Sequence, residues 1–265
     1  MYNFNYHRAT SVEDAVAKLK AAEDGLVIAG GMTMIPTLKQ RLASPSDVID
    51  LNGLDELRAI EVSGDTVTIG ALATHDSVHR SAEIKAAIPV LCEVAGYIGD
   101  PQVRNYGTIG GSISNNDPAA DYPAALVGLD ATVHTTTRKL QAEEFFTDMF
   151  ETALEPGELV LKVEFRKPEK AAYKKFANPA SRYAMVGVMV ARLPGSGVRV
   201  AVTGAGPCVF RQTEMEQALA SNFAPDAIKD IKVAADGLNS DIHGSAEYRA
   251  HLIGVMARRA VEACG

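Results

Sequence analysis

Two glycine pairs set among small and hydroxyl-bearing residues are the part of this 265-residue chain best suited to chemistry. The first lies in Ala29-Gly30-Gly31-Met32-Thr33, and the second lies in Gly107-Thr108-Ile109-Gly110-Gly111-Ser112. Neither segment contains Lys, Arg, Asp or Glu, so an anion there must be held by backbone N–H groups and hydroxyls. Glycine permits this, because without a Cβ the backbone can adopt positive φ and approach a ligand closely. The two segments therefore predict two halves of one diphosphate clamp.

The residues after the second glycine pair strengthen this interpretation, since an isolated Gly-Gly pair more often marks a turn. Residues 112–121 are small and polar, and they lead into a helix-like run from Tyr122 to Leu129. Asp121 ends the polar stretch. A carboxylate at that position is suited to accept hydrogen bonds from ribose hydroxyls, as acidic residues do in dinucleotide sites.

Together these motifs resemble those of a known family. The segments AGGMT and TIGGS, with RN before the second and DPAAD after it, are similar to the FAD-binding medium subunits of the molybdenum hydroxylases. The nearest type is the carbon monoxide dehydrogenase medium subunit, which is related to the flavin domain of xanthine dehydrogenase. The resemblance extends from Phe4 through the Pro207–Arg211 segment into the terminal helices.

This resemblance implies an α+β fold in two parts. Residues 1–168 would form a two-lobed FAD-binding domain of the p-cresol methylhydroxylase/vanillyl-alcohol oxidase type. Residues 169–265 would form a small C-terminal α+β domain of the carbon monoxide dehydrogenase flavoprotein type, with an antiparallel sheet and helices. The charged stretch from Arg166 to Ala171 carries Pro168, so we expect the boundary there.

The resemblance also implies which residues contact FAD. The diphosphate would lie between the two glycine segments, Asp121 would accept a ribose or ribityl hydroxyl, and either Lys175 or Lys174 would lie near the flavin ring. Arg182 stands where relatives often carry an acidic residue, which bears on the choice of electron acceptor. The predicted cofactor-binding residues are Val27, Ile28, Ala29, Gly30, Gly31, Met32, Thr33, Met34, Ile98, Gly99, Gly107, Thr108, Ile109, Gly110, Gly111, Ser112, Asp121, Leu159, Val160, Lys175 and Tyr183.

An electron relay follows from the same resemblance. A large molybdenum-cofactor subunit would oxidise the substrate, and two two-iron two-sulfur clusters on a small subunit would pass electrons to this FAD and on to an external acceptor. The implied assembly is a dimer of heterotrimers. Cys92, Cys208 and Cys264 are far apart in sequence and form no CxxC, so the cluster ligands would belong to another chain. No catalytic acid or base and no metal ligand is expected here.

Two other functions remain open at this point. One is a self-contained flavin oxidase or dehydrogenase of the same fold, and the other is a cofactor-free assembly subunit. The short C-terminal domain, and the lack of a His or Cys near the glycine segments that could bond flavin covalently, argue against the oxidase. A visible spectrum of the purified chain separates the flavin-binding functions from the cofactor-free one.

Composition excludes some classes of function. The chain is 47% hydrophobic and 22% charged, with a net charge of −7. This charge argues against nucleic-acid binding, which depends on clustered Lys and Arg. The N-terminus lacks the pattern of a signal peptide, and no apolar run approaches the roughly 18 residues of a membrane span. We therefore expect a cytoplasmic protein.

Apolar periodicity predicts the elements that hold the glycine segments. We expect a helix from Thr10 or Ser11 to about Ala22, a strand at 26–29, a helix at 34–42, a strand at 48–51, a hairpin over 57–70, a helix capped at Thr74 and a helix at 86–95. Further along we expect strands at 131–135, 159–165, 184–191 and 198–202, with helices at 213–220 and 247–262. The first four elements form a βαβ unit that places the first glycine segment at the carboxyl end of a strand.

Two other patterns favour structural interpretations. Thr203-Gly204-Ala205-Gly206-Pro207 looks like a third phosphate loop, but Pro207 removes a donor and no helix follows directly. His75 and His79 are spaced like a pair of metal ligands, yet no third ligand is evident.

The second glycine segment is read as a loop, so we expect Gly110→Val to abolish flavin retention without disrupting the fold.

Overall fold

A small parallel sheet begins the chain in the computed structural model, which describes residues 1–265. Its elements are β1 (Asn5–Arg8), α1 (Val12–Ala21), β2 (Gly25–Ile28), α2 (Met34–Lys39) and β3 (Asp47–Asp50). The strand order is β1-β3-β2, and both pairings are parallel. Ser11 caps α1 by accepting a hydrogen bond from the Asp14 N–H, as expected for a hydroxyl at this position. The predicted βαβ unit is present, with α2 shorter than expected.

The second part of the chain contains an antiparallel sheet and a layer of helices. Its elements are β4 (Ile60–Ser63), β5 (Thr66–Gly70), α3 (His75–Arg80), α4 (Ala82–Ala87), α5 (Pro89–Tyr97), α6 (Pro101–Tyr106), α7 (Ile109–Asn115), α8 (Tyr122–Gly128), β6 (Thr132–Thr135), β7 (Lys139–Gln141), α9 (Ala142–Phe145), β8 (Phe146–Asp148), β9 (Glu151–Thr152) and β10 (Val160–Arg166). Five strands form one sheet in the order β4-β5-β10-β6-β7, while β8 and β9 pair separately.

The helical layer differs from the sequence prediction in two places. The single helix expected over residues 86–95 is two helices, because Ile88 leaves the helical conformation and Pro89 begins α5 at its first position, where proline is favoured. The predicted loop over the second glycine pair is instead the N-terminal turn of α7. Thr108 caps this helix, and its hydroxyl accepts a hydrogen bond from the Gly111 N–H.

A four-stranded antiparallel sheet and two helices complete the chain. The elements are β11 (Lys170–Ala177), β12 (Ala184–Leu193), β13 (Gly197–Thr203), β14 (Phe210–Arg211), α10 (Thr213–Ser221) and α11 (Ala246–Ala263), in the sheet order β11-β12-β13-β14. One face of this sheet packs on α10 and α11 through a buried cluster that includes Val188, Leu219 and Met256.

The opposite face of the last sheet belongs to the main core of the molecule. Tyr173, Met189 and Ala201 on this face join the same buried cluster as Leu126 and Val127 of α8. The C-terminal sheet is therefore packed directly on the helical layer that carries the second glycine motif. None of the helices is long and apolar enough to span a membrane.

Candidate functional site

A deep cleft of about 900 Å³ lies where the three sheets and the helical layer meet. This volume is near the upper end of the range for ligand pockets, roughly 300–1,000 Å³. Both glycine segments line the cleft, together with the polar stretch before α8, the start of β10, and the segment that joins β11 to β12.

Nearly all of the predicted cofactor-binding residues line this cleft. Those that do are Val27, Ile28, Ala29, Gly30, Gly31, Met32, Thr33, Met34, Ile98, Gly99, Gly107, Thr108, Gly110, Gly111, Ser112, Asp121, Leu159, Val160, Lys175 and Tyr183. Ile109, which was also predicted to bind the cofactor, is the exception and does not line the cleft. As the first residue of α7 it points into the core, where its side chain is fully buried.

The first glycine segment presents a row of open hydrogen-bond donors to the cleft. It follows β2 directly, and Gly31 has a φ of +72°, a conformation that favours glycine. The backbone N–H groups of residues 29–34 have no acceptor within the chain. Because these N–H groups line the cleft and have no partner in the chain, the row is suited to bind an anionic ligand.

The second glycine motif uses most of its N–H groups inside the protein. The Ile109 N–H donates to the Ala73 carbonyl over 3.0 Å, and the Gly110 N–H donates to the Ala71 carbonyl over 2.9 Å. The Gly111 N–H is taken by the Thr108 hydroxyl over 3.0 Å. The expectation that these amides grip a ligand is therefore wrong for this half of the clamp. The Thr108 N–H has no acceptor in the chain and remains available.

Close approach of backbones explains two of the glycines. A Cβ on Gly30 would lie 1.9 Å from the Tyr106 carbonyl oxygen, so its absence lets the first segment contact the chain just before the second. A Cβ on Gly110 would lie 2.7 Å from the Ala71 carbonyl oxygen. Gly110→Val therefore disrupts the docking of α7 itself, contrary to the expectation that this variant leaves the fold intact.

Asp121 and Lys175 form a buried ion pair at the floor of the cleft. The Lys175 ammonium donates to Oδ2 of Asp121 over 2.8 Å, and both side chains are only 5% exposed. The Tyr173 hydroxyl donates to Oδ1 over 2.6 Å. Burial raises the pKa of Asp121, although Lys175 and Tyr173 oppose the rise. A carboxylate has about four lone-pair sites, so Asp121 keeps capacity for a ligand hydroxyl.

Of the two lysines between which the sequence left the choice open, only Lys175 lies on the cleft side of β11. Lys175 lines the cleft and also donates to the Tyr97 carbonyl over 3.3 Å. Lys174, its neighbour on the strand, is not among the lining residues, because successive side chains of a strand point to opposite faces.

The segment between β11 and β12 forms one side of the cleft mouth. Arg182 has a left-handed φ of +63°, and the next residue, Tyr183, is 54% exposed over the opening. Asn178 fixes the turn, since its Oδ1 accepts the Ala180 N–H over 2.9 Å and its N–H donates to the Tyr183 carbonyl over 2.8 Å. Partial burial raises the pKa of Tyr183.

Several residues that line the cleft are outside the set predicted from the sequence. Glu158 is buried at its wall, and although burial opposes the effect, hydrogen bonds from Arg138, Thr135 and Thr137 lower its pKa to about 2. Nothing in the turn sequence that contains Glu158 indicated this. The other missed lining residues are Leu19, Leu26, Thr37, Ala43, Leu51, Ala71, Leu72, His75, Asp100, Val103, Ser114, Asn115, Asp117, Ala119, Ala120, Leu154, Ala180, Ser181 and Arg182.

The two histidines spaced like metal ligands have separate structural roles. His75 is 4% exposed, and burial lowers its pKa to about 4. Nδ1 of His79 is instead hydrogen-bonded to the Cys92 carbonyl over 2.8 Å. No group of three His, Cys, Asp or Glu side chains is placed to hold a metal ion.

The third glycine-rich segment supports the cleft from behind, in agreement with its structural interpretation. The Gly204 N–H donates to the Pro118 carbonyl over 2.8 Å, and the Thr203 hydroxyl donates to the Ala120 carbonyl over 2.6 Å. These bonds tie β13 to the polar stretch that ends at Asp121. None of these residues from β13 lines the cleft.

The cleft thus suits an elongated ligand with an anionic centre. Open N–H donors lie on one side, an ion pair lies at the floor, and apolar side chains such as Leu26, Leu51 and Leu159 form walls for flat ring systems. A dinucleotide of the FAD type has this combination of a diphosphate, hydroxyl groups and planar rings.

Comparison with known families gives two matches that together cover nearly the whole chain. Residues 2–168 match the family described as the FAD binding domain in molybdopterin dehydrogenase. Residues 171–264 match the family described as the CO dehydrogenase flavoprotein C-terminal domain.

Individual relatives agree with this result. The glyceraldehyde dehydrogenase medium chain of Sulfolobus acidocaldarius is 36% identical, over 97% of this chain and 96% of the relative. The carbon monoxide dehydrogenase medium chain of Hydrogenophaga pseudoflava is 34% identical, over 98% and 96%. Among solved structures, carbon monoxide dehydrogenase from Hydrogenophaga pseudoflava, lacking the Mo-pyranopterin moiety, aligns with a TM-score of 0.91 and 33% identity, covering 99% of this chain and 97% of the other.

Proposed function

This chain belongs to the family of FAD-binding medium subunits of molybdenum hydroxylases, and we propose that its cleft holds the FAD through which the subunit serves electron transfer. The protein is an oxidoreductase subunit. The observation that carries the proposal is the row of unpaired N–H groups at residues 29–34, which opens into a cleft of suitable size.

Different parts of the cleft would hold different parts of the cofactor. The N–H groups of residues 29–34, the Thr108 N–H and the hydroxyls of Thr33 and Ser112 would bind the diphosphate. Asp121 would accept a hydrogen bond from a ribityl or ribose hydroxyl. The contribution of the second glycine motif is then its shape and hydroxyl groups, with a single free amide, rather than a row of amides.

The ring side of the site is formed by residues from both halves of the chain. Ile98-Gly99 and Leu159-Val160 would line the walls, Lys175 would supply a positive charge, and Tyr183 would cover the open side. Bound FAD supplies reversible electron chemistry, and the protein controls its position and surroundings. Because this role needs no general acid or base, the site requires only binding, orientation and exclusion of water.

We propose that the chain works in a complex with a small iron–sulfur subunit and a large molybdenum-cofactor subunit, arranged as a dimer of heterotrimers. Support comes from relatives such as the nicotine 6-hydroxylase medium subunit of Paenarthrobacter nicotinovorans, whose name describes one subunit of several. The cytoplasmic location and the boundary between residues 168 and 169 stay predictions, as do the individual cofactor contacts.

A matched pair of glycine-to-alanine variants tests the site. Gly111 lines the cleft in the first turn of α7, where an added Cβ would lie 2.9 Å from Oγ1 of Thr108, so this hydroxyl must shift slightly. Gly254 lies in α11, and a Cβ there would meet nothing within 4 Å. We expect Gly111→Ala to weaken FAD binding at least about tenfold and Gly254→Ala to leave it unchanged, since alanine is tolerated in both helices.

The measurement is titration of the FAD-free chain with FAD, followed by flavin fluorescence and the visible spectrum. Thermal unfolding of both variants without FAD checks that neither is destabilised. A wild-type chain that binds no FAD would overturn the proposed function. Equal FAD affinity in the wild type and Gly111→Ala would show that the cofactor does not pass the N-terminus of α7.

A further inference from the structure

Tyr173 lies behind the cleft rather than in it. It is fully buried on β11, two residues before Lys175, so the two side chains lie on the same face of the strand. Its hydroxyl and the Lys175 ammonium bind opposite oxygens of Asp121, over 2.6 Å and 2.8 Å. Asp121 and Lys175 line the cleft and Tyr173 does not, so Tyr173 can act on a ligand only through Asp121.

The neighbouring strand leaves a space for this hydroxyl. Gly187 is in the middle of β12, among buried apolar residues, and it pairs with Lys175 across the ladder. A Cβ at Gly187 would lie 2.1 Å from the Tyr173 hydroxyl oxygen. Glycine in a strand interior weakens the strand, and it often marks a position that another group approaches closely. Here the approaching group is the Tyr173 hydroxyl.

The Tyr173 hydroxyl matters because the Asp121 carboxylate is buried. Burial favours the neutral form of Asp121, while the hydrogen bond from Tyr173 and the charge of Lys175 favour the ionised form. Without the Tyr173 hydroxyl, Oδ1 of Asp121 has no donor within the chain and the neutral form gains. The ion pair between Asp121 and Lys175 is then weaker, although the missing hydroxyl lies on the side of Asp121 that faces away from the cleft.

Four other titratable groups lie near Asp121. They are Asp117 on the same segment, Tyr122 of α8, Tyr183 across the cleft and His75, whose ring centroid is 5.4 Å from that of Tyr122. Burial raises the pKa of Tyr122, Tyr173 and Tyr183, and it lowers the pKa of His75 to about 4. Between about pH 5 and about pH 9 the three tyrosines and His75 therefore stay neutral.

We propose that Tyr173 is a positioning residue that acts through Asp121: its hydroxyl holds in the ionised form the carboxylate that, together with Lys175, faces the bound FAD. The inference rests on the proposed FAD site. It assigns a role to a side chain that never contacts the cofactor, and it explains why β12 carries a glycine at its centre.

The test is Tyr173→Phe in the full chain, with the Kd for FAD measured by flavin fluorescence from about pH 5 to about pH 9. We expect the variant to bind FAD about tenfold more weakly at the acid end, the scale for losing a hydrogen bond to a charged group. At the alkaline end the two curves should converge, because Asp121 is then ionised in both proteins. Loss by the same factor at every pH would indicate a purely structural role and overturn the proposal.

Tyr97→Phe is the matched control. Its ring centroid is 6.3 Å from that of Tyr173, its side chain is 45% exposed, and its hydroxyl makes no hydrogen bond within the chain. This variant should bind FAD as the wild type does at every pH. A Tyr97→Phe curve that matched the Tyr173→Phe curve would remove the case for a specific role of the Tyr173 hydroxyl.

Gly187→Ala provides an independent route to the same effect, because the added methyl group displaces the hydroxyl without removing it. We expect its pH-dependent loss of affinity to resemble that of Tyr173→Phe, and the double variant to lose less than the product of the two single losses. Thermal unfolding without FAD confirms folding. If the wild type binds FAD but the folded Tyr173→Phe and Gly187→Ala chains show the wild-type pH profile, the role of Tyr173 is wrong and the FAD site still stands.

Discussion

Asp121 and Lys175 illustrate how one pair of side chains serves both stability and binding. Each is 5% exposed, and each is the other's charge partner at the cleft floor. A buried ion pair is compensated only while both members are present, because an unpaired buried charge is strongly unfavourable. Substitutions at this pair must therefore be judged by their effect on the fold as well as on FAD.

Removing one member of the pair should be worse than removing both. We expect Asp121→Ala to lower the free energy of unfolding by about 3–5 kcal/mol, since it leaves Lys175 buried without a counter-charge. In the double variant Asp121→Ala/Lys175→Met the buried charge is gone. Its free energy of unfolding should therefore be at least about 1 kcal/mol higher than that of the single variant. Urea unfolding of the FAD-free chains measures both. A double variant less stable than Asp121→Ala would contradict this account.

At the scale of elements, α7 shows why a short helix can begin at a glycine pair. Glycine has poor helix propensity, but the first-turn amides of α7 are satisfied by the carbonyls of Ala71 and Ala73 and by the Thr108 cap. Tertiary hydrogen bonds thus decide the conformation of this segment. The same residues that looked like a phosphate loop in sequence form a helix end that faces the cleft.

Two helix caps offer a comparison between a cap at the cleft and one away from it. Thr108 caps α7, and Ser81 caps α4 by accepting the Ile84 N–H over 3.1 Å. Thr108→Val and Ser81→Ala should each lower the stability of the FAD-free chain by about 1 kcal/mol. Only Thr108→Val should also reduce FAD retention after gel filtration, because it removes the cap of the helix end that lines the cleft. Equal retention in the two variants would argue against a role of the α7 cap in cofactor binding.

Much of the element pattern could be predicted from the sequence. The βαβ unit, the hairpin around Gly64, the antiparallel C-terminal strands and the two terminal helices follow from apolar spacing and turn residues. The division between α4 and α5 depends on the single residue Pro89, and the helical form of the second glycine motif depends on partners far away in sequence. Such long-range hydrogen bonds leave no periodic signal.

The cleft residues divide in the same way. Those in the glycine segments could be found because glycine pairs are distinctive, and those near Asp121 because family motifs flank them. Glu158 and His75 could not, since their burial is created by packing between elements. Ile109 was predicted to bind the cofactor as part of the second glycine segment, whereas the helix turns its side chain into the core.

At the scale of the whole molecule, acid pH should weaken the fold in two separable windows. Burial lowers the pKa of His75 from 6.5 to about 4, so the unfolded chain binds a proton there first and stability falls as pH drops from 6.5 towards 4. For Glu158 the folded pKa is about 2 against 4.5 unfolded, so its contribution is lost as pH falls through that lower window.

The two windows can be assigned with single variants. We expect His75→Gln to flatten the dependence of unfolding free energy on pH between 6.5 and 4, and Glu158→Gln to flatten it between 4.5 and about 2. Each contribution is at most about 3.4 kcal/mol. Chemical denaturation at a series of pH values gives the slopes. If both variants keep the wild-type slopes, other groups control acid stability.

The hydrogen bonds from β13 and β11 to the stretch that ends at Asp121 link the C-terminal sheet to cofactor binding. Thr203, Tyr173 and Lys175 belong to the C-terminal sheet and Gly204 directly follows it, yet all four hold the floor on which the cofactor would rest. Thermodynamic coupling of this kind is reciprocal. Displacing the C-terminal sheet from this stretch would therefore weaken binding of the flavin nucleotide. Bound flavin would in turn hold the C-terminal sheet against the rest of the chain.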